Sequence, residues 1–260
     1  TRTLNSNCCE AANSNLTNIM KTKKILALLI SGVFATTMAS QGAVITMPSG
    51  LSHGDQYRLV FVTSTTTAAT SSDITTYNTF VDGLATTAGL DTIAGTVEGT
   101  TTWTVMGSTA SVNVRTNTST TGAGTGIGIY TLNSAQIAAD YTDLWDGGLP
   151  NPLWITEQGD ILDTQVWTGS SWNGTTWGGN ELGAADGTGE YGQSRRTEAE
   201  GVTSGRYWMA RFNAAPSGNT TNSYSLYAIS GILTVPEPSS TALLGLGGLA
   251  LMLRRKRSAA

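Results

Sequence analysis

The chain has 260 residues and a formal charge of −4, with 12% charged residues and 31 glycines. That length can bury a real core, and a charge-poor composition rich in Gly, Ser and Thr suits a loop-rich β or α+β domain better than a helical bundle. Residues 43–235 hold six arginines, no lysine and sixteen acids, a net charge of −10; such a surface repels phosphate backbones and argues against nucleic acid as a partner.

Seven Trp and eight Tyr argue against disorder. Cys8 and Cys9 are the two cysteines. Both stand ahead of the export signal described next, so the exported body cannot rely on disulfides although an extracellular setting would permit them.

Met20 begins a pattern typical of export. Lys21, Lys23 and Lys24 precede the apolar run 25–34 (ILALLISGVF), and small residues follow around Ala39, Ser40, Gly42 and Ala43. Charge, apolar stretch and small residues in that order predict a signal peptide over 20–43, cut after Gly42 or Ala43 and handled by the secretory translocon and signal peptidase. Ten apolar residues are too few for a stable membrane span. Residues 1–19 are read as an upstream extension and set apart from the fold.

The body is then 44–234. Residues 56–64 (QYRLVFVTS) form an apolar, β-branched run and predict a strand. Ser71, Ser72 and Asp73 offer capping groups for a helix whose apolar positions are Ile74, Tyr77, Phe80, Val81, Leu84 and Ala88, closed by Gly89. Residues 100–106 (TTTWTVM) alternate like a half-buried strand. The glycine-rich run 122–128 fails as a dinucleotide fingerprint, since no clear strand precedes it and no clear helix follows; it reads as a flexible loop. Ser134 is placed as the cap of a second helix through Ala135, Ile137, Ala138, Tyr141 and Leu144, ended by Gly147 and Gly148. Further strands are expected over 165–168, 206–212 and 224–235. The polar stretch 169–205 reads as one long loop, a feature that is often functional.

The chain then reaches Pro236, Glu237 and Pro238, a stiff extended segment. After it come the apolar run 241–253 (TALLGLGGLALML) and the basic cluster Arg254, Arg255, Lys256 and Arg257. Thirteen apolar or small residues are short for a span, but flanking serines and snorkelling arginines extend the reach. The basic cluster acts as a stop on the cytoplasmic side, so a single transmembrane anchor helix over this region leaves the body outside. These three parts together, over 235–260, resemble the PEP-CTERM sorting signal. The resemblance implies recognition by an exosortase, a membrane cysteine transpeptidase-like protease, with release or transfer of the body near the motif. It also implies an association with exopolysaccharide and biofilm.

Several local patterns in the body carry a second resemblance. They are 103–109 (WTVMGST), 140–147 (DYTDLWDG) with Asn151 and Pro152, 156–159 (TEQG), 166–169 (VWTG) and 226–229 (LYAI). In this order they resemble a bacterial surface domain of unassigned function in the C-type-lectin-like superfamily. The resemblance implies an α+β fold with two helices, a small antiparallel sheet and long loops that carry any ligand site. Many members brace those loops with cysteines, which this body lacks.

Candidate chemistry is sparse. His53 is the lone histidine, so it would have to serve any Ser-His-Asp set; a turn beside Gly54 and Asp55 is the simpler reading. Zinc lacks a His/Cys cluster. Glu157, Asp160 and Asp163 stand three apart and could be solvated loop acids, calcium ligands or paired catalytic carboxylates. Asp140, Asp143 and Asp146 share one side of the expected second helix, as a wet face or a cation site. Trp103, Trp167 and Trp208 are expected in the core, whereas Trp172 and Trp177, in the loop SSWNGTTWGGN, are candidate glycan contacts because an indole offers a broad apolar face to a sugar ring. The leading expectation is a non-enzymatic, exported and exosortase-processed surface or matrix protein that binds exopolysaccharide. The alternatives are a structural coat protein without a ligand, and a secreted glycoside hydrolase using Glu157.

Overall fold

In a computed structural model, residues 44–93, 95–195, 207–210 and 218–237 are described, all within the unit Gln41–Ala260. The expected signal peptide and anchor helix lie outside the described residues. Eleven strands among the described residues are β1 (Gln56–Val62), β2 (Thr67–Ala68), β3 (Trp103–Val105), β4 (Gly128–Thr131), β5 (Gln136–Ala138), β6 (Gln165–Trp167), β7 (Thr188–Gly189), β8 (Tyr191–Gln193), β9 (Gly218–Asn219), β10 (Ser223–Ser230) and β11 (Leu233–Thr234). The helices are α1 (Ile74–Thr87), α2 (Val114–Asn117) and α3 (Tyr141–Leu144).

The fold is a mixed α+β arrangement, as expected, but the sheet is neither small nor purely antiparallel. Nine strands form one sheet with the path β5-β4-β1-β10-β6-β8, and β11, β2 and β3 attach beside it. β1 runs parallel to β4, and β10 parallel to β6, while β1 and β10 are antiparallel. β1 and β10 therefore sit centrally, buried on both faces, and read as near-continuous apolar runs. Side chains alternate between two cores: Tyr57, Leu59, Phe61, Leu226 and Ala228 face one, and Val60, Val62, Tyr227 and Ile229 the other. α1 covers the first core with Ile74, Tyr77, Val81 and Ala85; Val114 of α2 and Tyr141 and Leu144 of α3 enter the second. Arg58 is buried on the second face, where its guanidinium donates to the Ser230 and Thr118 carbonyls at 2.7 and 2.6 Å and lies over the Tyr141 ring.

α1 forms where its apolar spacing and cap placed it. The Asp73 carboxylate accepts the Thr75 amide at the start, and Gly89 takes φ +73° just beyond the end. The helix also covers an exposed sheet edge. Asn78 and Asp82 on α1 accept the Val105 and Trp103 amides of β3 at 2.9 and 2.8 Å, so β3 offers fewer unpaired groups to a foreign strand.

Several expectations are corrected. The expected second helix divides into β5 and α3, and α2 makes a third helix. Ser134 does not cap anything: it takes φ +71° in the turn that joins β4 to β5. Asp140 is the actual cap of α3, accepting the Thr142 and Asp143 amides at 2.7 and 3.0 Å. The glycine-rich run is a loop over 122–127, as expected, and its last glycine, Gly128, opens β4. In the expected strand 206–212, residues 207–209 form turns and Ala210 is irregular, and the remaining positions lie outside the described residues. The last expected strand exists but carries a bulge. β10 pairs Val60 with Ile229, β11 pairs Tyr57 with Leu233, and the one-residue slip between them falls at Gly231 and Ile232.

Candidate functional site

Two regions bear on function: the root of the C-terminal segment and the loop surface beyond β6. The root is a closed seam. β11 pairs with the start of β1, matching Thr234 to Gln56. The pairing continues one step further, because the Val235 amide donates to the Asp55 carbonyl at 3.0 Å and the Gly54 amide to the Val235 carbonyl at 2.9 Å. His53 Nδ1 lies 2.6 Å from the Pro236 carbonyl oxygen, a contact that requires the proton on Nδ1. His53 is thus an exposed turn residue with a specific partner.

Glu98 closes the other edge. Its carboxylate accepts the Thr234 amide at 2.8 Å and the Thr234 hydroxyl at 2.7 Å, and the Val97 amide donates to the Thr234 carbonyl at 3.0 Å. Partial burial alone would raise the Glu98 pKa, but the Thr234 hydrogen bonds favour the ionised form and hold it below the ordinary carboxylate value. Nothing in the sequence singled out Glu98, which lies 136 positions from its partner. Val235 is buried, Pro236 half-buried and Glu237 exposed. Pro238 and the basic residues Arg254, Arg255, Lys256 and Arg257 lie outside the described residues.

The stretch expected as one polar loop, 169–205, is organised in its described part. It contains β7 and β8, and a small hairpin over 170–176 closed by the Ser170–Thr176 bridge. Backbone contacts hold its base. Gly169, at φ +58°, sits where an added Cβ would lie 2.4 Å from the Ser108 carbonyl oxygen and 2.5 Å from the Leu182 amide. That closeness lets Ser108 donate to Thr168 and Leu182 donate to Ser108, while the Thr168 and Gly169 amides share the Glu190 carbonyl. The tip rests on Trp145, where Gly174 approaches the indole so closely that a Cβ would lie 2.9 Å from it. Trp172 and Trp177 flank this tip and are half-buried rather than fully exposed. Trp103, Trp167 and Trp208 are buried, as expected.

The acidic candidates do not converge. Glu157 is 2% exposed and turns inward, its two oxygens taking the Ser64 amide and hydroxyl. Asp163 faces Arg195 at 3.6 Å on the surface, and Asp160 is exposed with its backbone carbonyl engaged by the Thr156 amide. Asp140, Asp143 and Asp146 each serve local turns, accepting amides from Thr142, Ala139 and Gly148 respectively. Among the described residues, no group of three or more His, Cys, Asp or Glu side chains is placed to hold a metal ion. Glu157 lines a cleft of about 540 Å³ with Val44, Ser64, Thr65, Leu84 and Gln158, which sequence reasoning missed because its walls come from distant segments.

Among the described residues, no helix is long and apolar enough to cross a membrane. No curated protein matches the chain. Residues 234–257 match the PEP-CTERM protein-sorting motif, beginning at the residue that Glu98 holds, and the motif implies export, a membrane-anchored precursor and exosortase as the processing partner.

Proposed function

We propose that the chain is an exosortase-processed surface or matrix protein whose lectin-like body binds exopolysaccharide without acting on it. The sorting motif at 234–257 carries the first half of this reading. It begins at the last residue of β11, so the sorted cargo is the sheet domain itself. Secretory translocation and signal peptidase act at 20–43, lipid holds the anchor over 241–253, and the destination is the cell surface or the surrounding matrix.

Glycan binding is supported by the Trp172–Trp177 loop. Two half-buried indoles flank the tip of a hairpin whose base is fixed by Gly169. A pre-fixed aromatic loop loses little entropy when a sugar ring stacks on it. The net charge of −10 across 43–235 favours neutral polysaccharides over acidic ones. A hydrolytic role is disfavoured by Glu157, whose two oxygens are engaged by Ser64. Asp163 is turned toward Arg195 instead. Calcium stays a proposal for the exposed acids near Asp160 and Asp163, to be tested by titrating the protein with the metal alone. The structural-coat reading predicts surface assembly with no glycan affinity.

Polysaccharide pull-down and glycan arrays test the binding claim. Retention of neutral polysaccharide that falls at least tenfold in Trp172→Ala or Trp177→Ala supports it. Retention unchanged in both variants removes this loop, and no retention by the parent protein favours the coat reading.

A further inference from the structure

The sorting motif and the folded body overlap, and the overlap assigns a side to the processing cut. The motif match begins at 234. Thr234, Val235 and Pro236 are nevertheless part of the body, Thr234 tied to the segment 97–98 and Val235 and Pro236 to the turn 53–55. Thr234 is held by Glu98 and Val97, Val235 by Gly54 and Asp55, and Pro236 by His53. A protease reads its substrate as an extended strand with free backbone groups, and a strand already paired on an edge and locked by side chains has none to offer. Glu237 is the first exposed residue after the seam.

From there the chain has little room. Residues 237–240 separate the seam from the apolar run that starts at Thr241. Fully extended, four residues span about 14 Å. Along the sequence, the seam bounds this stretch on one side and the apolar run on the other. Gly54 belongs to the same arrangement: at φ +84°, a Cβ there would lie 3.1 Å from Glu237 Oε1, so glycine lets the chain leave close to the body.

We propose that the folded body fixes the processing frontier, so that exosortase cuts on the carboxyl side of Pro236 and the mature protein keeps Thr234, Val235 and Pro236 as the closing strand of its sheet. Glu98 and His53 are positioning residues for that reaction. They hold the substrate's own backbone and never touch the protease's reacting atoms. This rests on the reading of the chain as an exosortase substrate, and the test separates the two.

The full chain is produced in a host with exosortase and in the same host lacking it, and the released protein is analysed by intact and C-terminal peptide mass. A C-terminus at Pro236 or later, only where exosortase is present, supports the proposal. A released protein ending at Val235 or earlier overturns it while leaving exosortase processing intact. Identical full-length protein in both hosts overturns the substrate reading and the proposal with it. Amide hydrogen exchange on the purified full chain gives a readout independent of processing. The Thr234 and Val235 amides are expected to be protected and the Glu237 amide to exchange freely. Glu98→Gln weakens the charged acceptor and is expected to speed Thr234 exchange about fivefold. Equal exchange at Val235 and Glu237 in the unaltered chain would show an open seam and refute the proposal.

Discussion

A methyl group placed at Gly169 tests how the loop beyond β6 is held. Gly169→Ala meets two separate penalties. The backbone there has φ +58°, a left-handed conformation that costs an L-residue roughly 1–2 kcal/mol. The new Cβ would also lie 2.4 Å from the Ser108 carbonyl oxygen and 2.5 Å from the Leu182 amide. Both are backbone atoms, so relief requires moving two segments, and overpacking of this kind costs about 1–3 kcal/mol. The expected loss is about 3 kcal/mol, a large part of the ~5–15 kcal/mol that stabilises a typical domain. At about 3 °C per kcal/mol for a domain of this size, Tm falls by about 9 °C. The assay is thermal unfolding of the protein followed by near-ultraviolet circular dichroism. Gly178→Ala is the control from the same loop: its Cβ would meet nothing within 4 Å, and its effect should stay within about 0.5 kcal/mol. Equal Tm values for the two variants would refute the claim that close backbone approach at Gly169 braces the loop.

Other outcomes follow from individual contacts. Ser64→Ala removes the hydroxyl donor from buried Glu157 and should lower stability by about 1–3 kcal/mol in urea unfolding; no change would mean that the carboxylate finds another donor. Tyr57 and Tyr77 have pKa values raised to about 12, Tyr57 by burial and then the Glu98 charge, Tyr77 by burial. Their raised values mean that the stabilisation is complete below the ordinary tyrosine pKa and is lost as pH rises through about 12. Spectrophotometric titration should therefore find these two phenols ionising together with alkaline unfolding. Glu98 has the opposite sign. Its pKa is depressed, so its contribution is complete above the ordinary glutamate value and is lost as pH falls through the lower, folded one. The Thr234 protection factor should drop across that acid window, and Glu98→Gln should abolish the drop.

How much of this was legible in the chain depends on the range of the interactions. α1 could be read because its information is local: Asp73, the apolar positions and Gly89 lie within one short stretch. β1 and β10 could be read because two covered faces make an apolar run. The split of β5 from α3 was hidden because Ile137, Ala138, Tyr141 and Leu144 fit a helical spacing that the structure does not use. The deciding residue was Asp140, whose carboxylate starts the helix after β5 has ended. β4 was missed because four residues after a glycine run carry little pattern, and its partner β1 lies some 70 positions away. The seam was half legible. Pro236, Glu237 and Pro238 declared a sorting segment, but the roles of His53 and Glu98 exist only once β11 has returned to the start of β1. The inward turn of Glu157 was likewise invisible, since Ser64 is 93 positions distant.

Cell fractionation with antibodies against the body and against the basic tail bears most directly on export and sorting. In cells with exosortase, the body should be found at the surface or in the matrix without tail reactivity. Deleting exosortase should leave both epitopes together in the membrane. Body and tail recovered together from the cytosol, unchanged by the deletion, would contradict the account.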